Sequence, residues 1–360
     1  MNQDNLNALR ERIDSLDDTI FDLLSERARV AMEIRHVKQG EVIYRPEREA
    51  QIVRRLRENN PGPLSGDMVE RLIREIMSAC RALEEVTRIA FLGPAGTFSQ
   101  QAAYKQFGHE IDALAENDID ACFQAVETGR ADFAVVPVEN SIEGAVGRTL
   151  DLIVTTPLRI CGEVVLPIHQ TLMRQSGELT GIARVYGHAQ SLAQCQQWLA
   201  RHLPQAERVA VVSNADGARR AAMEPDAATL GAEAAAALYG LQVLARNVED
   251  EASNTTRFLV LGKTDAQPSG CDKTSFVMGA RNQPGAVVKL LQPLADQGIS
   301  MSRLESRPAR RDLSAQGNWE YLFFVVCEGH RQDAPVAAAL AEIESRAAFL
   351  KILGSYPAVS

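Results

Sequence analysis

At 360 residues the chain is too long for one typical core, and about two or three domains are expected. A hydrophobic share of 46% and a charged share of 24% are those of an ordinary globular protein. The net charge of −9 argues against a general nucleic-acid binder, which carries a basic stripe.

The opening stretch MNQDNLNALRERID is charged and lacks the apolar segment of a secretory signal. No window approaches the ~18 apolar residues of a membrane span, so a cytoplasmic protein with no membrane partner is expected. Cys80, Cys122, Cys161, Cys195, Cys271 and Cys327 form no C-x-x-C pair. They predict buried free thiols rather than a zinc site or a disulfide framework.

Residues 5–85 read as helix almost throughout. Leu6, Leu9, Ile13, Leu16, Ile20, Leu23, Val30, Ile34 and Val37 recur at every third or fourth position or its multiple. NNPGPLSGD at 59–67 breaks the pattern, MVERLIREIMSACRALEEV resumes it, and the proline of YRPERE suits a helix start. A helix from Leu6 to Lys38 is ~50 Å long. That is longer than any core these residues build alone, so an intertwined dimer is expected. Arg27 falls within the apolar stripe, and Lys38, roughly 16 Å further along, faces nearly the same way. The two could bracket one anionic ligand. Arg10 lies about 25 Å before Arg27 and reaches such a ligand only from an antiparallel partner helix. The alternative is that these cations snorkel at the rim of the stripe.

As a set, LRERID, SERARVA, IRHVK and RPERE resemble the AroQ-type chorismate mutase helical domain over most of residues 5–85. The resemblance implies that Arg10 and Arg27 hold the two carboxylates of chorismate and that Lys38 meets the ether oxygen and one carboxylate. Arg48 and Glu49 complete the site, with Glu49 accepting from the substrate hydroxyl. Arg45 departs from an Asp found in some members, and Glu84 stands where an amide often faces the ether oxygen. A pericyclic rearrangement needs no nucleophile and no cofactor; the site compacts the substrate and stabilises charge growing on the ether oxygen. Glu84 donates a hydrogen bond only when protonated, so mutase activity should decline as pH rises.

From residue 88 short β-rich runs alternate with helical ones: RIAFLG with SQQAAYKQFG, ADFAVVPV with a polar turn, ARVYG with SLAQCQQWLARHL, and RVAVVS with DGARRAAM. The alternation predicts a parallel α/β architecture. GPAGTFSQ, ENSIEG, GHAQS and SNAD each fall where a strand hands over to a helix, the place where helix N-termini bind anions. In the structural reading, Ser99, Ser191 and Asp216 are N-caps and Gly93 and Gly96 permit a turn. GPAGTFS is neither a Walker loop nor a dinucleotide turn, so neither ATP nor NAD is expected.

GPAGTFS, ADFAVVPVENSIEGAV, YGHAQSLAQC and NTTRF, in this order, resemble prephenate dehydratase from about residue 88 to 263. The resemblance implies two α/β lobes, periplasmic-binding-protein-like, with the site in the cleft between them and SNTTRF where the chain returns to the first lobe. It makes Thr256 the catalytic hydroxyl and gives Thr97, Ser99, Asn140, Ser141 and Arg257 to binding and orientation. In the structural reading Arg257 merely pairs with a nearby acid.

From about residue 272 the pattern becomes βαββαβ, a ferredoxin-like unit, with helices expected at 284–297 and 334–346 and a linker at 264–272. QPGAVVKLL and LESRP resemble an ACT regulatory domain. The resemblance implies a phenylalanine site formed by Asn282, Gly285, Ala286, Val287, Glu305 and Ser306, where the helix N-terminus offers amide N–H groups to the amino acid's carboxylate. The alternative makes Gly285 a packing glycine and Glu305–Arg307 a surface ion pair.

The expected organisation is an all-α mutase domain at 1–87, a two-lobed α/β dehydratase domain at 88–265 and an α+β ACT domain at 272–360, assembled as a homodimer or dimer of dimers. The expected small-molecule partners are chorismate, prephenate and phenylalanine, with no metal and no cofactor. The alternatives are a non-catalytic two-lobed sensor and a dehydratase that takes arogenate.

Overall fold

The computed structural model describes residues 3–37, 44–281, 283–309 and 319–358. Its first part is three helices: α1 (Gln3–Val37), α2 (Pro46–Glu58) and α3 (Gly66–Ala82). Pro46 occupies the first turn of α2, where a missing N–H costs nothing, and the Ser65 side chain caps α3 by accepting from Met68 N. α1 runs for 35 residues and buries little. Leu6, Leu9, Ile13, Leu16, Ile20, Leu23, Val30 and Ile34 along it are 44–60% exposed. Lys38 lies outside the described residues.

The central part opens with β1 (Arg88–Leu92), α4 (Phe98–Phe107), β2 (Asp112–Glu116), α5 (Ile119–Glu127), β3 (Phe133–Asn140), β4 (Gly144–Ala145), α6 (Gly147–Thr155) and β5 (Arg159–Pro167). The chain then crosses to a second lobe: β6 (Thr171–Arg174), β7 (Arg184–His188), α7 (Ala189–Gln194), α8 (Gln196–His202), β8 (Glu207–Val211), α9 (Asn214–Ala221), β9 (Ala227–Gly231), α10 (Ala234–Tyr239) and β10 (Gln242–Ala245). It returns as β11 (Thr255–Gly262). The first-lobe sheet has the order β2-β1-β3-β11-β5, and the second has β10-β6-β9-β7-β8.

Both sheets are mixed, which corrects the parallel architecture expected from the alternation. β1, β2 and β3 pair in parallel, but β11 is antiparallel to both β3 and β5. The reason is connectivity. β5 leaves for the second lobe at the end of the sheet where β3 also ends, and β11 re-enters at that same end, so it must run the other way.

Other local expectations shift. SLAQCQQWLARHL is two helices, not one. The break falls at buried Cys195, where the Asp250 carboxylate accepts from the N–H groups of Gln197 and Trp198 and so caps a second helix. The capping side chains are Thr97, His188 and Ser213 in place of Ser99, Ser191 and Asp216. Each true cap lies two or three residues earlier, at the last extended position before the helix.

The last part is β12 (Asp272–Arg281), α11 (Ala286–Asp296), β13 (Met301–Pro308), β14 (Trp319–Glu328), α12 (Ala334–Arg346) and β15 (Phe349–Pro357). Its antiparallel sheet, β13-β14-β12-β15, has the ferredoxin-like strand order. One face packs under α11 and α12 through Phe276, Met278, Leu290 and Ile343. The other places Val277, Leu322, Phe324, Leu353 and Tyr356 in one core with Val136, Ile153, Leu259 and Leu261 of the first lobe. The C-terminal unit is therefore docked on the first-lobe sheet through apolar burial, not hung from a linker.

Candidate active sites

The register of β3 against β11 assembles the cleft. Thr256 lies opposite Asn140, and Arg257 opposite Glu139. The Asn140 amide donates to Thr256 Oγ1 at 3.0 Å and to Asn254 Oδ1 at 2.8 Å. Its own Oδ1 accepts from Ile142 N and Glu143 N at 3.0 and 3.1 Å, which fixes which end of the amide faces the threonine. Thr256 Oγ1 is thus an acceptor toward Asn140, and its proton is left for another partner. Ser141 closes the turn: its hydroxyl accepts from Thr255 N and its N–H donates to Thr255 O, both at 2.9 Å.

Side chains alternate across a strand. Thr256 is therefore on the face of Phe258 and Val260, which pack with Ala102, Ala103 and Phe107 of α4. α4 begins at the same end of the sheet, with Thr97 as its N-cap and Ser99 buried in its first turn. Gly96, just before, has φ +85°. A side chain there would press on Leu238 and Ala235 of α10 at 3.3–3.4 Å, and Tyr239 Oη donates to Ala95 O, so the two lobes meet across this loop. Across the cleft, Asn214 donates to Ser191 Oγ at 2.7 Å and accepts from His188 N, while Gln170 donates to Ser191 Oγ at 3.1 Å. Gln170 Oε1 and Asn254 Nδ2 are buried without a hydrogen-bond partner among the described residues.

Arg257 does not join this group. Its guanidinium lies on the opposite face of β11, donating to Glu163 Oε2 at 3.1 Å, with Nε 3.6 Å from Glu139 Oε2. Thr256, Asn140 and Ser141 are brought together at the end where α4 starts with Thr97 and Ser99, while Arg257 is turned to an ion-pair cluster. Sequence reasoning missed Glu163, although a lone carboxylate within the apolar run RICGEVVLP is a signal: charge buried there needs partners.

In the helical part, Glu49 accepts from Arg81, which also donates to Phe107 O at 2.6 Å and lies over the Tyr44 ring. Tyr44 in turn packs tilted against Phe107 and edge-on against Phe133, fastening the helices to the first lobe. Burial raises the Glu49 carboxyl, opposed by Arg81, Arg74 and Arg27. Arg27 thus comes near enough to act on Glu49. Arg48 is exposed, Glu84 half-buried, and Arg10 exposed near the far end of α1. Arg81 was missed, yet it is the one cation of α3 that is almost wholly buried.

In the C-terminal unit Gly285 caps α11 at φ +74° with open space where a side chain would stand, so it is a conformational and not a packing glycine. Ala286 and Val287 form the first turn of α11; Glu305 and Ser306 lie on β13 at the sheet edge. Arg307 is tied to Gly147 O and Asp151 of α6. Asn282 lies outside the described residues. Among the described residues, no three His, Cys, Asp or Glu side chains are gathered as a metal site requires.

A helical domain, a two-lobed α/β unit with a polar cleft, and a docked ferredoxin-like sheet define a multidomain metabolic enzyme with a regulatory appendage. Family models match in the same order: chorismate mutase type II over residues 9–85, prephenate dehydratase over 89–266 and the ACT domain over 274–345. The bifunctional chorismate mutase/prephenate dehydratase of Neisseria gonorrhoeae is 52% identical over 97% of this chain and 96% of its own. That of Stutzerimonas stutzeri is 50% identical over 98% of each. The crystal structure of the Arthrobacter aurescens prephenate dehydratase in complex with L-Phe superposes with a TM-score of 0.68 at 35% identity, covering 75% of this chain and 89% of that one. The chain belongs to the bifunctional chorismate mutase/prephenate dehydratase family. It is an enzyme of aromatic amino acid biosynthesis with an isomerase and a lyase activity.

Proposed function

We propose that Thr256 is the catalytic hydroxyl of the dehydratase, and that Asn140, Ser141, Thr97 and Ser99 bind and orient prephenate around it. The observation that carries this is the 3.0 Å bond from the Asn140 amide to Thr256 Oγ1, which uses the oxygen as an acceptor and leaves its O–H available to donate to a substrate. As the ring–carboxylate bond breaks, its electron pair enters the ring, carbon dioxide departs and the ring expels its hydroxyl. Aromatisation drives the step, and Thr256 donates a hydrogen bond to the leaving oxygen, which departs as water after taking up a proton. The N-terminus of α4 supplies N–H groups for a substrate carboxylate. Arg257, on the other face of β11, serves in orientation only through the strand it anchors by its pairs with Glu163 and Glu139.

The functional units follow as 1–87, 88–265 and 272–360. In the first, Arg27, Lys38, Arg48, Glu49 and Glu84 of one chain hold chorismate while Arg10 comes from the partner in a homodimer or dimer of dimers. The half-exposed apolar stripe of α1 supports that reading, because a monomer has no use for so long an apolar face in water. Phenylalanine binds through Asn282, Gly285, Ala286, Val287, Glu305 and Ser306, with the α11 N-terminus offering N–H groups to its carboxylate, and inhibits by favouring one conformation. A cytoplasmic location accords with the free thiols, five of them buried. Among the described residues, no helix is long and apolar enough to cross a membrane.

Supplying chorismate, then prephenate, then arogenate to the purified chain tests the substrates. Phenylpyruvate from the first two is the expected result. Phenylalanine formed faster from arogenate than phenylpyruvate from prephenate would reassign the dehydratase.

A further inference from the structure

Two carboxylates stand behind the cleft strand, and each is shared between the first lobe and the C-terminal sheet. Glu163 has a side chain only 1% exposed; Arg257 takes its Oε2 at 3.1 Å and Lys273 of β12 its Oε1 at 2.5 Å. Glu139 Oε2 lies 3.6 Å from Arg257 Nε and in contact with Arg303 of β13. Three cations thus hold two carboxylates, and Arg257 touches both. Across β3 and β11, Glu139 immediately precedes Asn140 and Arg257 immediately follows Thr256. The ion-paired face and the cleft face are therefore the two sides of the same pair of backbone segments.

We propose that Arg303 and Lys273 are positioning residues of the dehydratase site: through Glu139, Glu163 and Arg257 they set the Asn140–Thr256 hydrogen bond. The proposal rests on the assignment of Thr256 as the catalytic hydroxyl. Glu163, 1% exposed, tolerates little change in the geometry of its pairs, because a partner withdrawn leaves an uncompensated buried charge, whereas Glu139, 36% exposed, keeps part of its contact with water and is held by Arg303 and Arg257 together. A displacement of β13 or β12 therefore carries Glu139 and Arg257 with it and disturbs the 3.0 Å contact on the other face. Arg303 lies on the same strand as Glu305 and Ser306, so a ligand gripping those residues pulls on the strand that holds Glu139. Arg307 ties the strand to α6 by its bond to Gly147 O at 2.5 Å. The regulatory unit thus completes the geometry of the catalytic one rather than covering its entrance.

The test uses the full chain, with the mutase rate as a control for folding. Arg303→Met is expected to lower dehydratase kcat about tenfold and leave KM within about twofold, and Arg303→Lys to recover most of the loss. Combined with Glu139→Gln, Arg303→Met should cost no more than the worse single change, the mark of two residues acting as one. If Arg303→Met depresses both activities, Lys273→Met with Glu163→Gln carries the same cycle. A kcat within about twofold of the parent, or losses that multiply in the double variant, overturns the proposal. Thr256→Val, measured alongside, separates the causes. If it retains turnover, the assignment of the hydroxyl falls and the proposal with it. If it loses turnover while Arg303→Met is silent, only the coupling falls.

Discussion

The helical region and the two-lobed region differ in how much of an active site one chain can hold. In the cleft, Asn140 is over a hundred positions from Asn254 and Thr256 in sequence yet within hydrogen-bond reach of both, because adjacent strands bring distant segments together. Along α1, Arg10 and Arg27 are close in sequence but about 25 Å apart, because a helix rises 1.5 Å per residue and cannot fold back. A sheet site closes within the chain that makes it. In the reading proposed above, a long-helix site stays open until a second chain lies alongside, and the exposed stripe from Leu6 to Ile34 is the face offered to it.

The comparison breaks most visibly at Thr256. Thr256→Ala should lower dehydratase turnover by about 10²–10³-fold and leave the mutase rate intact; equal loss of both activities in steady-state assays would mean a misfolded variant. The next largest effect tests the helical side. Arg10→Ala and Arg27→Ala should each lower mutase activity by about 10²-fold. Mixed and allowed to exchange subunits, the two inactive chains should regain about a quarter of the parent rate, because half the dimers are mixed and one of their two sites is whole. No regain after exchange would place both arginines on one chain and end the partner-supplied site.

Much of this contrast was legible from residue patterns. The three-to-four spacing along α1 and its excess length predicted a helix with an unsatisfied face, and the polar motifs GPAGTFSQ, ENSIEG, GHAQS and SNAD predicted strand-to-helix handovers. What escaped was pairing across space. Nothing in the strand–helix alternation shows that β11 re-enters the sheet from the cleft end, since direction depends on where the second lobe sends the chain back. The resemblance gives both Thr256 and Arg257, neighbours in NTTRF, to the substrate, but a strand's alternation separates them onto opposite faces. Arg81 and Glu163 were overlooked for the same reason: a buried charge is intelligible only with its partner, and theirs lie 32 positions away at Glu49 and 94 at Arg257.

Arg81 also separates stability from activity in the helical region. Arg81→Met leaves the Glu49 carboxylate buried without its main partner and should cost about 2 kcal/mol in thermal or denaturant unfolding. Most of that should return in Arg81→Met with Glu49→Gln, which removes the charge as well. A double variant no more stable than the single one would mean that Arg81 acts through its bond to Phe107 O and its place over Tyr44.

The smallest effect is a pH dependence with opposite signs for stability and activity. Burial holds the Glu49 carboxyl above its ordinary value of 4.5. Below that value the group is protonated in both folded and unfolded chains and costs nothing. As pH rises toward the folded value, the unfolded chain releases its proton first, so this contribution to stability declines. Mutase activity runs the other way in the same window, because Glu49 must be ionised to accept from the substrate hydroxyl. A Glu84 that faces the ether oxygen donates only when protonated, so any decline of mutase activity on the alkaline side is assigned by replacing it with an amide. Glu49→Gln should remove the acid limb of the mutase profile and flatten the stability change, whereas Glu84→Gln should flatten only the alkaline limb. An alkaline limb unchanged in Glu84→Gln removes that residue from the site, and an acid limb unchanged in Glu49→Gln shows that the carboxylate serves Arg81 and not the substrate.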